Sequence, residues 1–159
     1  MTTIKRASQK ELFGWAMFDF ANSSYTTVII TVVFCIIFPK IIVGDSPEYR
    51  LGNLLWSTSL SISYLMVLLS VPFFGAVMDF TGSKKKFLFG SCFITVTATA
   101  ALYYVHPGDI VLGMLLIVLS NIGFSYSESF VSSFLPGLGP PEDLGKISGY
   151  AWGLGYFGG

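Results

Sequence analysis

The chain has 159 residues, of which 53% are hydrophobic and 16% aromatic while only 11% are charged, a balance that excludes an ordinary soluble domain and points to a membrane protein. Nine basic and nine acidic residues leave a formal net charge of zero, so nothing indicates nucleic acid or another polyanion as a partner. The two cysteines, Cys35 and Cys92, sit inside apolar runs and read as small apolar helix residues rather than as a disulfide.

Lys5, Arg6 and Lys10 precede an apolar stretch over about 13–43. It is too long for a signal-peptide core of roughly 7–15 residues and no small-x-small cleavage site closes it, so it reads as a retained span. Crossing a hydrocarbon core of about 30 Å takes about 20 helical residues. After an N-terminal segment, 1–13, four segments reach that length. The first is about 14–38, stopped by Pro39 and Lys40, and the second about 52–78, stopped by Asp79 and the turn after it. The third is about 87–105 and the fourth about 110–134. A fifth, 147–159, is too short to span. The expectation is an all-α membrane protein in which 14–159 form a partial transmembrane bundle, the N-terminal part of a longer chain whose remaining helices complete it. A gene that stops directly after Gly159 and encodes a working product would refute that expectation.

Lys5, Arg6, Lys10, Lys84, Lys85, Lys86 and Lys146 fall on one side of this arrangement and only Lys40 and Arg50 on the other. The positive-inside rule then places the N-terminus in the cytoplasm. Trp15, Trp56, Tyr103 and Tyr104 lie near span ends, where interfacial aromatics belong. Short connections predict that consecutive helices pack as antiparallel neighbours.

Asp19, Asn22, Ser23 and Thr26 occupy one face of the first helix at i, i+3, i+4 and i+7. On the fourth, Asn121, Ser125, Glu128 and Ser132 form a polar stripe on a helix otherwise built of Leu, Ile, Val and Phe. Both carboxylates lie roughly 8–10 Å inside the cytoplasmic boundary at about 1.5 Å per residue, so one cavity can take both. Intramembrane carboxylates are costly, face bundle interiors or aqueous pathways, and are candidates for ion, proton or solute binding. The plainer alternatives are that Asp19 favours a helix N-terminus and that the hydroxyl stripes hold helices together.

Between the second and third helices, Gly75 permits close approach, Asp79 ends the apolar run, and Gly82 with the lysines from Lys84 onward makes a sharp turn. Near the C-terminal end Gly145, Gly149 and Gly153 recur every four residues, followed by Gly155 and Gly159, a small-xxx-small pattern for helix packing. Residues 153–158 also match G-x-G-x-x-G, without the strand and soluble helix a dinucleotide site requires. Asn22-Ser23-Ser24 matches a glycosylation acceptor but lies within a span. No metal-ligand spacing, cofactor motif or nucleophilic triad appears, and the single histidine, His106, has no partners in sequence; the chain reads as a non-enzyme.

Gly75-Ala-Val-Met-Asp79-Phe-Thr-Gly82-Ser-Lys84 resembles the loop between helices two and three of the major facilitator superfamily, roughly G-x-L-x-D-R-x-G-R-[RK], with Phe80 and Ser83 in place of the usual arginines. More specifically, Gly14-Trp-Ala-Met-Phe-Asp19-Phe-Ala-Asn22-Ser23 and Pro141-Glu-Asp-Leu-Gly145-Lys-Ile-Ser-Gly149-Tyr-Ala-Trp152 resemble the vacuole-effluxer-like branch of that superfamily. The resemblance implies about a dozen helices in two related halves, alternating access, and helices one and four at a central cavity. It also implies a small polar solute such as an amino acid, and a cell membrane, or a vacuolar one in a fungus. The fourth helix has no arginine, which leaves Asp19 and Glu128 as the titratable candidates, with Asn22, Ser23 and Ser125 beside them. A small non-transporting membrane subunit is the alternative. It predicts that Asp19 and Glu128 pair with each other and exclude water.

Overall fold

The computed structural model describes residues 7–46 and 48–159; Lys5 and Arg6 of the N-terminal basic group lie outside the described residues. The described residues form five long helices and no strand: α1 (Gln9–Val43), α2 (Arg50–Thr81), α3 (Lys84–Ala101), α4 (Ile110–Ser132) and α5 (Pro141–Gly158). The first four lie in segments long and apolar enough to cross a bilayer.

The helix ends follow local chemistry. At the start of α1 the Glu11 N–H donates to Ser8 Oγ (3.3 Å) and the Ser8 N–H donates to Glu11 Oε2 (2.8 Å), a reciprocal capping box. Pro39 was expected to stop this helix, yet the chain winds on to Val43 as a π-helix from Phe38, after an earlier π segment at Tyr25–Val33. A proline ring collides with the carbonyl four residues earlier in an α-helix. The wider π winding relieves that collision, and it ends where Gly44 takes φ +68°. Asp45 then caps α2, accepting from the N–H groups of Leu51 (2.5 Å) and Gly52 (3.0 Å).

At the other end of α2, Gly82 adopts φ +61°, and α3 begins two residues later. Lys84, Lys85 and Lys86 therefore form its first turn rather than a loop. Observed helices also exceed the expected 52–78 and start earlier than 87 and 147. Hydropathy marks where lipid begins, whereas capping residues and proline mark where the backbone stops being helical.

Packing departs from simple succession. The outer shell of α4 carries α3 on one side and α2 on another, while α2 and α3 touch little beyond their shared turn. On the far flank α5 packs along the N-terminal half of α1. The expected pairing of consecutive helices thus holds for α3 with α4 and fails for α2 with α3.

The buried and exposed sets are inverted relative to a soluble protein. Ser59, Ser63, Ser120, Asn121 and Ser127 are fully buried, whereas Leu68 and Leu69 are 70% and 72% exposed. Small and polar groups inside with leucine outside is the pattern for lipid as solvent. Where α1, α2 and α4 meet the turn after α3, at the end opposite the cluster of Lys84, Lys85 and Lys86, Phe34, Phe38, Ile42, Trp56, Leu102 and Ile117 form the apolar core. Trp56, expected at the interface, is buried there with its ring 6.1 Å from that of Phe38.

Glycines set the closest approaches. A Cβ on Gly123 would lie 2.7 Å from Thr95 Oγ1 on α3, and one on Gly52 would lie 2.6 Å from Pro39 Cα. Against α1, a Cβ on Gly158 would collide with the Phe20 carbonyl oxygen. Gly145, Gly149 and Gly153, expected to pack helices, have nothing within 4 Å, and neither has Gly75. Within this chain Gly155 and Gly158, on the face of α5 turned to α1, and Gly159 just after it make the contact instead.

Candidate functional site

A cavity of about 400 Å³ lies between α1, α4 and α5. From α1 it receives Asp19, Ser23, Thr26 and Thr27; from α4, Phe124 and Glu128; from the last helix and its end, Trp152, Gly155, Tyr156 and Gly159. Asp19 and Glu128 are both part-buried, one on each wall.

The two carboxylates are held differently. Asn22 Nδ2 donates to Glu128 Oε1 at 2.5 Å, and the Ser127 hydroxyl faces Asn22 Oδ1 at 3.4 Å while donating to Phe124 O at 2.7 Å. Asn22 therefore binds α1 to α4 and orients Glu128. Asp19 has no hydrogen bond or ion pair to its carboxylate among the described residues; the Ser23 hydroxyl beside it donates to the Asp19 backbone carbonyl (2.9 Å). Gly155 comes so close that a Cβ there would sit 2.7 Å from Asp19 Oδ2, which keeps the α5 backbone against the carboxylate.

Not every residue singled out from the sequence reaches the cavity. Ser125 does not line it, and its carbonyl accepts the Ser129 hydroxyl at 2.9 Å. Asn22 does not line it either: it sits behind Glu128, where it meets Ser127, a residue that sequence spacing did not mark because it falls off the Asn121 to Ser132 stripe. Asn121 faces α2, donating Nδ2–H to Ser63 Oγ at 2.7 Å, with its Oδ1 buried and unpartnered. Trp152 and Tyr156 were missed as cavity residues. Their i, i+4 spacing on the face that also carries Gly155 was the available signal.

Further ties fix α1 to α4 along their length. Trp15 Nε1 donates to Val131 O (2.9 Å), Tyr25 Oη and Ser120 Oγ share a hydrogen bond of 2.8 Å, and the Tyr25 ring stacks on Phe124 at 4.9 Å. At the lysine-rich end Lys84 Nζ lies 3.4 Å from Asp79 Oδ1 and donates to Ser133 O at 3.0 Å. Lys84 thereby joins the α2–α3 turn to the end of α4, across the left-handed Gly82.

Residues 55–144, more than half of the chain, match the family described as vacuole effluxer Atg22 like. The chain belongs to that family. The match takes in most of α2, all of α3 and α4 and the first residues of α5, and with them Asp79, Lys84 and Glu128. The Atg22-like chain is also 28% identical over 155 residues to the uncharacterized MFS-type transporter YxiO of Bacillus subtilis (strain 168), an alignment covering 98% of this chain and 36% of that protein. It thus spans just over a third of the length of this relative, and the shared region includes Asp19 and α1. No solved structure matches the chain. With its four bilayer-length helices, the Atg22-like chain is an integral, multi-pass membrane protein, and no group of three or more metal-ligating side chains occurs among its described residues.

Proposed function

We propose that this chain supplies the first helices of a secondary transporter about as long as YxiO, moving a small polar solute by alternating access. Amino acids are the solute class that the family resemblance suggests. The observation that carries the reading is the cavity itself: two carboxylates from separate helices open onto one space inside a bilayer-spanning bundle, and costly intramembrane carboxylates of this kind mark a solute or proton pathway by default. In this reading the lysine-rich end is cytoplasmic, Asp19 and Glu128 face the pathway from opposite walls, Asn22 holds Glu128 from behind, and Ser23 shapes Asp19's helix turn. Glu128 takes Asn22 as its partner rather than Asp19, which speaks against the sealed carboxylate pair of a non-transporting subunit.

The test is Glu128→Gln in the full-length transporter. Glutamine keeps an oxygen for the Asn22 amide but loses the charge, so the bundle should hold while transport falls at least about tenfold. Unchanged rate and unchanged pH dependence would reject the role.

The turn makes a separate prediction. Asp79 is exposed and its pair with Lys84 is superficial, so Asp79→Asn should lower turnover roughly two- to fivefold, the scale of an exposed ion pair, and leave KM unchanged. A rise in KM at constant turnover would mean that the turn serves solute binding instead of conformational cycling.

A further inference from the structure

The charge and surface of the cavity specify more than a polar solute. Its lining offers two carboxylates, Asp19 and Glu128, and three aromatic faces, Phe124, Trp152 and Tyr156, and none of the chain's described lysines or arginines reaches it. Neither carboxylate has a cationic partner among the described residues. Of the hydroxyls, those of Ser23 and Thr26 already donate to the backbone carbonyls of Asp19 and Ser23, both at 2.9 Å. A solute carboxylate entering here would meet like charge and no charged donor, which costs far more than it returns in a low-dielectric site. An ammonium group would meet carboxylate oxygens, one of them held in place by Asn22, and indole and phenol faces that attract cations. A volume of about 400 Å³ belongs at the small end of metabolite pockets.

We infer that this half of the pathway selects amines of net positive charge, such as diamines and basic amino acids, over zwitterionic and anionic solutes. The inference rests on the transporter reading above and narrows its solute class.

The experiment uses the full-length transporter in proteoliposomes, with radiolabelled lysine, leucine and glutamate as separate probes and unlabelled putrescine, which has no carboxylate, as competitor. Lysine uptake blocked by excess putrescine, with little leucine or glutamate uptake, is the expected result. Asp19→Asn should raise the lysine KM at least about tenfold, the scale of a lost charged hydrogen bond. Trp152→Ala should raise it roughly threefold to tenfold through the lost cation–π face. Leucine or glutamate uptake that putrescine does not inhibit overturns the cation class while leaving the transporter reading intact. Absence of uptake for all three probes by protein that elutes as a single folded species overturns both. The competition arm uses unaltered protein, so it does not depend on either variant folding.

Discussion

Gly123→Leu is expected to drive α3 and α4 apart and to abolish a monodisperse, folded protein in detergent. Two of the three atoms nearest to a Cβ at Gly123 are backbone, Ser91 O and Thr95 N, both at 2.9 Å, so no side-chain rotation makes room. Alanine alone should cost about 1–3 kcal/mol, the usual scale for overpacking, and leucine more. Thermal unfolding followed by size-exclusion chromatography reads the effect. Gly90→Ala on α3, where nothing lies within 4 Å, should leave the profile unchanged. Equal loss in both variants would mean that helix chemistry, and not the α3–α4 contact, is being measured.

Asn22→Leu should be the most damaging change beside the cavity that leaves both carboxylates in place. It removes the donor to Glu128 and the acceptor facing Ser127, leaving a membrane-embedded carboxylate without a hydrogen bond among the described residues. A hydrogen bond to a charged group contributes about 1.5–3 kcal/mol, which corresponds to a transport loss of about 10- to 100-fold and a clear drop in melting temperature. The double variant Asn22→Leu with Glu128→Leu separates the two effects. Stability should recover, because both partners become apolar together, while transport should not. Recovered transport in the double variant would deny Glu128 any part in the pathway.

How far the sequence foretells this arrangement depends on the range of the physics involved. Spacings of three and four residues fix which side chains share a helix face, and so Asp19, Asn22 and Ser23 could be placed together and at a depth comparable with Glu128. Apolar length is equally local, and the four spans were visible for that reason. Which helix meets which is a different matter. Nothing local announced that α2 would lean on α4 and leave α3, or that α5 would return to α1. Of the glycines in and just after α5, only contact with Phe20, Asp19 and Thr27 distinguishes Gly155, Gly158 and Gly159 from Gly145, Gly149 and Gly153. Helix one shows a second limit. Its spacing argument assumed α-helical winding throughout, and past Tyr25 the helix is π-wound to Val33, so the phase of every later residue shifts. Trp56 shows a third: position near a span end suggested an interfacial ring, but the meeting of three helices buried it.

The many threads that end on α4 also bear on how the protein is made. Trp15, Asn22 and Tyr25 from the first helix and Lys84 from the third all send polar groups to α4 or to the residue just beyond it, as does Asn121 in the opposite direction toward Ser63. Helices enter the membrane in the order of translation, so the first three arrive before their partners on α4 exist. Until the fourth is inserted, the polar groups of Trp15, Asn22 and Tyr25 lack these partners, and the early helices are held to one another mainly where α1 meets α2 around Pro39 and Gly52. Biogenesis of this bundle therefore has a waiting period, and a ribosome stalled before residue 110 would leave three inserted helices without the element that organises them.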